Sequence, residues 1–209
     1  MSIKTVTPSA VAAVVEITDG QIDKAGELFR SILKRYRAEL PTEAVQQVLG
    51  SNEVWPELLT VFRRRVDALS KMIVRRVKVD RTRTYQQAID ATGRTQYINA
   101  DVLATMPKGE GEEKDVFFFD LDYDPSAKQL AEEYELRGLV SDPIAQAAVN
   151  EADPKFADDR PNGCQWNLQE NGTASFATFR RWYDGGRSVD VDRGDYLWFR
   201  CYRFGGVCK

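Results

Sequence analysis

The 209 residues, 43% hydrophobic and 29% charged, have globular proportions and enough length for one domain or two small ones. Histidine is absent, which removes the commonest general base and metal ligand and excludes Ser-His-Asp and Cys-His catalysis within the chain. The net charge of -3 divides unevenly: residues 1 to 95 carry 16 basic and 11 acidic residues, 96 to 209 carry 13 and 21, a pattern of two faces or units with different partners.

In chain order, the apolar run "AVAAVV" (10 to 15) is short, preceded by one basic residue, Lys4, and followed at once by Glu16. It reads as neither a signal peptide nor a membrane span. "TDGQIDKAGELFRSILKRYRAEL" predicts a helix: Thr18 or Asp19 caps it, Ile22, Ala25, Phe29, Ile32, Leu33, Tyr36 and Leu40 recur at spacings of three and four, and Pro41 stops it. "PTEAVQQVLG" predicts a second helix, capped by Thr42, burying Ala44, Val45, Val48 and Leu49 and ending at Gly50. A third, "SNEVWPELLTVFRRRVDALSKM", has Ser51 or Asn52 as cap, Pro56 in its first turn, and Leu58, Leu59, Phe62, Val66 and Leu69 facing inward. Three such helices joined by short turns predict a small bundle over residues 1–72.

Near residue 72 the period changes. "MIVRRVKVDR" is rich in β-branched residues and predicts a strand, opening an α+β domain over 73–209. Short helices follow in "TYQQAIDATG", closed by Gly93, and "NADVLATMP", capped by Asn99. The charged loop "KGEGEEK" reads as solvated and mobile, and the strand "VFFFDL" leaves it. "SAKQLAEEYELRGL" is a helix with Ser126 as cap and Gly138 as left-handed stop, and "SDPIAQAAVNEADP" another with Ser141 as cap. From 163 onward four aromatic and Val-rich runs, separated by "ENG", "DGG" and "RGD", predict a C-terminal antiparallel meander. The fold class is therefore α+β, a helical unit followed by a mixed unit ending in a sheet.

The strings "ATGRTQYINADVLATMPKGEGEEKDVFFF", "EYELRGL" and "DPIAQAAVNEADPKFADDRPNG" make residues 85–166 resemble a domain family of bacterial and phage-associated proteins with no known activity. The resemblance leaves the first 70 residues uncovered and implies no catalytic residue and no cofactor.

Three groups of residues invite a functional reading. "FFFDLDYDP" carries Asp120, Asp122 and Asp124 at alternate positions, and an apolar strand ending in Asp-x-Asp resembles the nucleophile motif of haloacid dehalogenase-type phosphatases. Tyr123 and Asp124 depart from that motif, and the better reading is that the acids fan into a loop that turns toward the next helix. Asp190, Asp192 and Asp195 lack the spacing of a calcium loop and read as hairpin acids. No residue is assigned as catalytic or as a metal ligand.

Between 60 and 94 ten basic residues face three acids, and Arg63, Arg64, Arg75, Arg76, Lys78, Arg81 and Arg83 are candidate phosphate contacts for a nucleic-acid partner. The C-terminal run "FRRWYDGGR" combines aromatics and guanidinium groups in the proportions of a protein interface, which makes Arg180, Arg181, Trp182, Tyr183, Arg187 and Trp198 candidate partner-binding residues. Three cysteines, Cys164, Cys201 and Cys208, form no C-x-x-C pair and fit a reducing cytoplasm. The leading expectation is a non-enzymatic interaction or structural protein that binds a protein partner or itself, without cofactor or membrane. Nucleic-acid association through the basic strip stands second, and a metal-dependent phosphohydrolase at Asp120 and Asp122 third.

Overall fold

The computed structural model describes residues 16–195 and 198–209; the run 10–15 and Tyr196 lie outside them. The chain divides into two compact units, Met1–Leu58 and Leu59–Lys209.

The first unit holds α1 (Asp19–Arg35), α2 (Thr42–Gly50) and the start of α3 (Val54–Ser70). The Thr18 side chain accepts from the Gln21 amide while Gln21 returns a bond to the Thr18 backbone, so two of the orphan groups at the helix start are satisfied by residues three apart. Pro41, and not Thr42, occupies the cap position of α2 and makes no side-chain cap bond. The predicted bundle core is not found: α1 and α2 contain no buried residue, and α3 buries only Ala68. Their apolar residues recur at helical spacing, yet Ile22, Ile32, Leu49, Leu58, Phe62 and Leu69 are all exposed.

In the second unit the end of α3 leads to β1 (Ile73–Lys78), α4 (Tyr85–Asp90), β2 (Thr95–Ile98), α5 (Ala100–Leu103), β3 (Glu113–Asp120), α6 (Ala127–Arg137), β4 (Leu139–Val140), α7 (Pro143–Ala152), α8 (Phe156–Asp159), β5 (Asn162–Trp166), β6 (Ala174–Arg181), β7 (Arg187–Gly194) and β8 (Arg203–Cys208). The main sheet runs β1-β3-β8-β5-β6-β7-β2, with β4 paired to β8. The expected meander is only partly present. β5, β6 and β7 are successive antiparallel neighbours, but β8 inserts between β3 and β5 and runs parallel to β5, and β2 runs parallel to β7. The sheet is mixed because β8 returns to its middle and β2 joins its edge, each parallel to one neighbour.

Side chains alternate between the two faces, and each face has its own core. On the first, Val77, Val116, Phe118, Cys164, Phe179, Val189 and Val191 meet Ile89, Leu103, Ile144 and Phe156 from the helices. On the second, Phe119, Phe176 and Phe204 meet Leu130 and Tyr134 of α6, together with Trp198 and Tyr202. The second cover stops short of the β7-β2 edge, and that bare end carries the polar side chains described next. Among the described residues, no helix is long and apolar enough to cross a membrane.

Candidate interaction surfaces

The arginine and aromatic residues proposed from the C-terminal run do not form one surface. Alternation along β6 sends Arg180 to the second face and Arg181 to the first. Arg180 lies between Asp190, at 2.7 Å, and the Trp182 ring, whose centroid is 3.9 Å from its Cζ, so two attractions fix one guanidinium. Arg187 faces Asp158 of α8 through two bonds of 2.8 and 2.6 Å. Arg181, Trp182 and Tyr183 are exposed, Tyr183 fully so, where "YDGG" turns; Gly185 there takes φ +89, a conformation that favours glycine. Trp198 is not on any surface. It is 1% exposed, packs edge-on against Phe176, Tyr202 and Phe204, and donates its indole N–H to Gln165 Oε1 at 2.9 Å. Its size and single donor suit it to a core with one polar anchor, which corrects its placement among the partner-binding residues.

On the bare end of the second face, Tyr97, Asn99, Thr178, Arg180, Asp190 and Asp192 border an open depression of about 460 Å³. Thr178 Oγ1 donates to Asp190 at 3.2 Å and Asn99 to Asp192 at 3.1 Å. Burial pushes the Asp190 carboxyl above its usual range, against the opposing pull of Arg180 and Thr178. Asn99, Thr178, Arg180, Asp190 and Asp192 are thus paired with one another across neighbouring strands, while Arg180 Nε is buried without a hydrogen-bond partner.

The basic strip is largely neutralised from within. Arg76 makes a two-pronged pair with Asp115 across the β1-β3 ladder, at 2.7 and 2.8 Å. Arg83 bridges Glu151 and Asp80, and Arg64 approaches Glu133 at 3.7 Å. Arg75 lies on the opposite face of β1 from Arg76, its Cζ 4.9 Å from the Phe156 ring centroid. Arg63 and Lys78 are exposed. Arg81 is structural: it bonds both oxygens of Asp142, at 2.9 and 2.6 Å, and the carbonyls of Lys108, Glu110 and Gly111. The segment "KGEGEEK" is solvated as expected, with residues 108–113 exposed, and one guanidinium holds its backbone at three carbonyls. Arg94 is also buried, bonding Arg180 O, Pro154 O and Asn150 Oδ1; burial lowers its pKa to about 10, which leaves it cationic at neutral pH. A cleft of about 650 Å³ does open beside the strip, but Lys78 and Arg83 share its wall with Asp80, Glu112, Glu113 and Glu151. That mixture is unlike the single-sign track a polyanion requires.

The acids after β3 separate. Asp120 pairs with Arg160 at 2.5 Å and Arg203 at 3.3 Å, Asp122 is exposed, and Asp124 accepts the Arg200 amide at 2.6 Å. The strand ends at Asp120, so the three carboxylates do not share one extended face. Among the described residues, no three His, Cys, Asp or Glu side chains are grouped to hold a metal ion.

The least satisfied surface is the helical one. Along α1, Ile22 and Phe29 lie seven apart, as do Ala25 and Ile32, the spacing of a coiled-coil seam; Ile22, Phe29 and Ile32 are 39% exposed or more, and Tyr36 at the C-cap is exposed too. Phe29 meets Trp55 edge-on at 6.4 Å, and both remain exposed. The sequence showed the stripe but not that it lacks a cover, because periodicity reports which face is apolar and not what lies on it. No protein-family model matches the chain, and no curated protein or solved structure matches it.

Proposed function

We propose that this is a non-enzymatic interaction or structural protein whose binding element is the helical unit of α1, α2 and the start of α3. The observation that carries the reading is an amphipathic helical unit without a single buried residue among those described. Helices of this length are marginal in water unless an apolar face is packed, and exposed apolar patches of this extent mark interaction sites. The sheet unit pairs many of its charges internally, Arg76, Arg81, Arg83 and Arg187 with Asp115, Asp142, Glu151 and Asp158, and its aromatics are largely in core. It reads as a scaffold. The free cysteines, one buried and two exposed, suit a reducing, cytoplasmic setting, and the likeness of residues 85–166 to phage-associated domains supports a phage or mobile-element context.

The test is association by the full chain before and after Ile32→Glu, followed by light scattering and by capture of partners from a nuclease-treated host extract at high salt. Salt-resistant self-association or capture of one reproducible partner is expected, lost on substitution while the near-UV spectrum of the sheet unit is retained. Absence of both kinds of association overturns the reading. Retention on heparin that falls steeply with salt and disappears when Arg75, Arg76 and Lys78 are reversed in charge would favour the nucleic-acid alternative in its place.

A further inference from the structure

We propose that the depression at the β7-β2 end of the second sheet face binds a neutral sugar ring, with Tyr97 as its stacking platform and Asp190 and Asp192 as acceptors for its hydroxyls. The site lies wholly within the sheet unit and does not depend on the helical one.

Register brings the parts together. β2 runs parallel to β7 with Tyr97 opposite Asp190, and β6 runs antiparallel to β7 with Thr178 opposite Asp190 and Phe176 opposite Asp192. Alternation sends these side chains to one face. Phe176 belongs to the second-face core with Trp198, so the depression begins where that core ends. Its volume, about 460 Å³, falls in the ~300–1,000 Å³ range of small-molecule sites. The hydrogen bonds described above use only half of each carboxylate. Thr178 and Arg180 both bond Asp190 Oδ2, and the Asn99 side chain and Arg193 amide both bond Asp192 Oδ1. Among the described residues Asp190 Oδ1 and Asp192 Oδ2 therefore keep their acceptor capacity, on alternate residues of one strand whose Cα atoms stand about 7 Å apart. Asn99 has a second amide hydrogen to give, and Tyr97 is 55% exposed beside them.

Charge selects the ligand class. Arg180, 2.7 Å from Asp190, stands against a cation at that carboxylate, and the two acids stand against a phosphate or carboxylate. The lining is mostly polar, unlike the wall of a site for a hydrophobic ligand. A ligand that carries no charge, donates and accepts through hydroxyls, and packs a C–H face on an aromatic ring meets all three conditions. Burial holds the Asp190 carboxyl above its usual range, a cost to folding that an exposed acid at the same register would avoid.

The experiment is NMR saturation transfer from the full chain to glucose, galactose, N-acetylglucosamine, cellobiose and lactose at millimolar concentrations, with arginine ethyl ester as the cationic control. Transfer to the ring C–H protons of at least one sugar is expected. Asp192→Asn should weaken that binding roughly tenfold, the scale of one hydrogen bond to a charged group, and Tyr97→Ala by a similar factor; both residues are exposed, so the thermal transition should hold. In the parent chain, sugar-induced amide shifts should centre on residues 97, 178 and 190, which keeps the assignment testable if either variant folds poorly. Silence from every sugar overturns the proposal, and so do shifts centred elsewhere or transfer that neither substitution weakens. Binding of arginine ethyl ester with the sugars silent would assign the depression to a cation in its place.

Discussion

Arg81 shows how one side chain decides whether a segment is loop or structure. Its guanidinium spans Asp142, which caps α7 through the Ala145 amide, and three carbonyls of the 108–111 turn. The Asp142 side chain has no solvent exposure, so removing its partner leaves a buried carboxylate uncompensated, at a cost of about 3–5 kcal/mol. Arg81→Met should lower the urea-derived unfolding free energy by that order and speed hydrogen exchange in the 108–112 backbone. Two aspartates should respond to pH in opposite senses. Arg187, bonded to Asp158, holds that carboxyl below its usual range; its stabilising effect is present above the unfolded pKa and is lost as pH falls through the depressed folded value. Burial raises Asp190, so its ionisation opposes folding as pH climbs from the unfolded value through the raised one. Carboxyl carbon NMR should therefore give a midpoint for Asp158 below 3.8 and one for Asp190 above it, 3.8 being the ordinary value for both. The reverse order would remove the roles assigned to Arg187 and to burial.

At the scale of elements, the sequence was legible at several local determinants, though Pro41 and not Thr42 caps α2 and Asp142 and not Ser141 caps α7. Thr18, Thr84 and Ser126 form capping boxes with a glutamine three residues on, Asn99 caps α5, and Gly138 closes α6 in the left-handed conformation at φ +66. It was not legible where the determinant is a distant partner. β2 is a strand because Thr95 to Ile98 lie parallel to Ser188 to Val191, and four residues carry no periodic signal of their own. The aromatic run around Trp198 read as strand, but β8 begins only at Arg203; Trp198 and Tyr202 instead fold over the second face. Glycines make β8 fit its central position. A Cβ on Gly205 would stand 2.6 Å from the Phe118 ring, and one on Gly206 would stand 2.8 Å from Tyr134 and 2.9 Å from the Val140 carbonyl. Gly206→Ala should therefore cost about 1–3 kcal/mol through overpacking and should weaken the β4-β8 pairing. A thermal transition unchanged from that of the parent would contradict the close approach of α6.

For the molecule as a whole, the charge asymmetry seen in the sequence does not map onto opposed basic and acidic faces. Arg76, Arg81 and Arg83 of the basic half find Asp115, Asp142 and Glu151 in the acidic half, so much of the imbalance is consumed within the sheet unit. The aromatic wealth of the C-terminal quarter is likewise spent mainly on core. The candidate site proved least legible at this scale: the helical stripe read as the inside of a bundle, because an apolar face destined for a partner and one destined for a core have the same spacing. Only coordinates reveal which of them goes uncovered.

The position of β8 has a consequence for how the chain must be assembled. Six of the strands that precede it form two separate ribbons, β1-β3 and β5-β6-β7-β2, while β4 pairs with β8, and the six residues from Arg203 to Cys208 join the ribbons. While a ribosome is still making this region, each ribbon presents a raw margin of unpaired amides and carbonyls toward the other, the kind of edge that recruits strangers. Completion waits on contacts between residues far apart in sequence, which slows folding. A chain lacking Arg203 to Cys208 would thus expose both margins and be prone to clump.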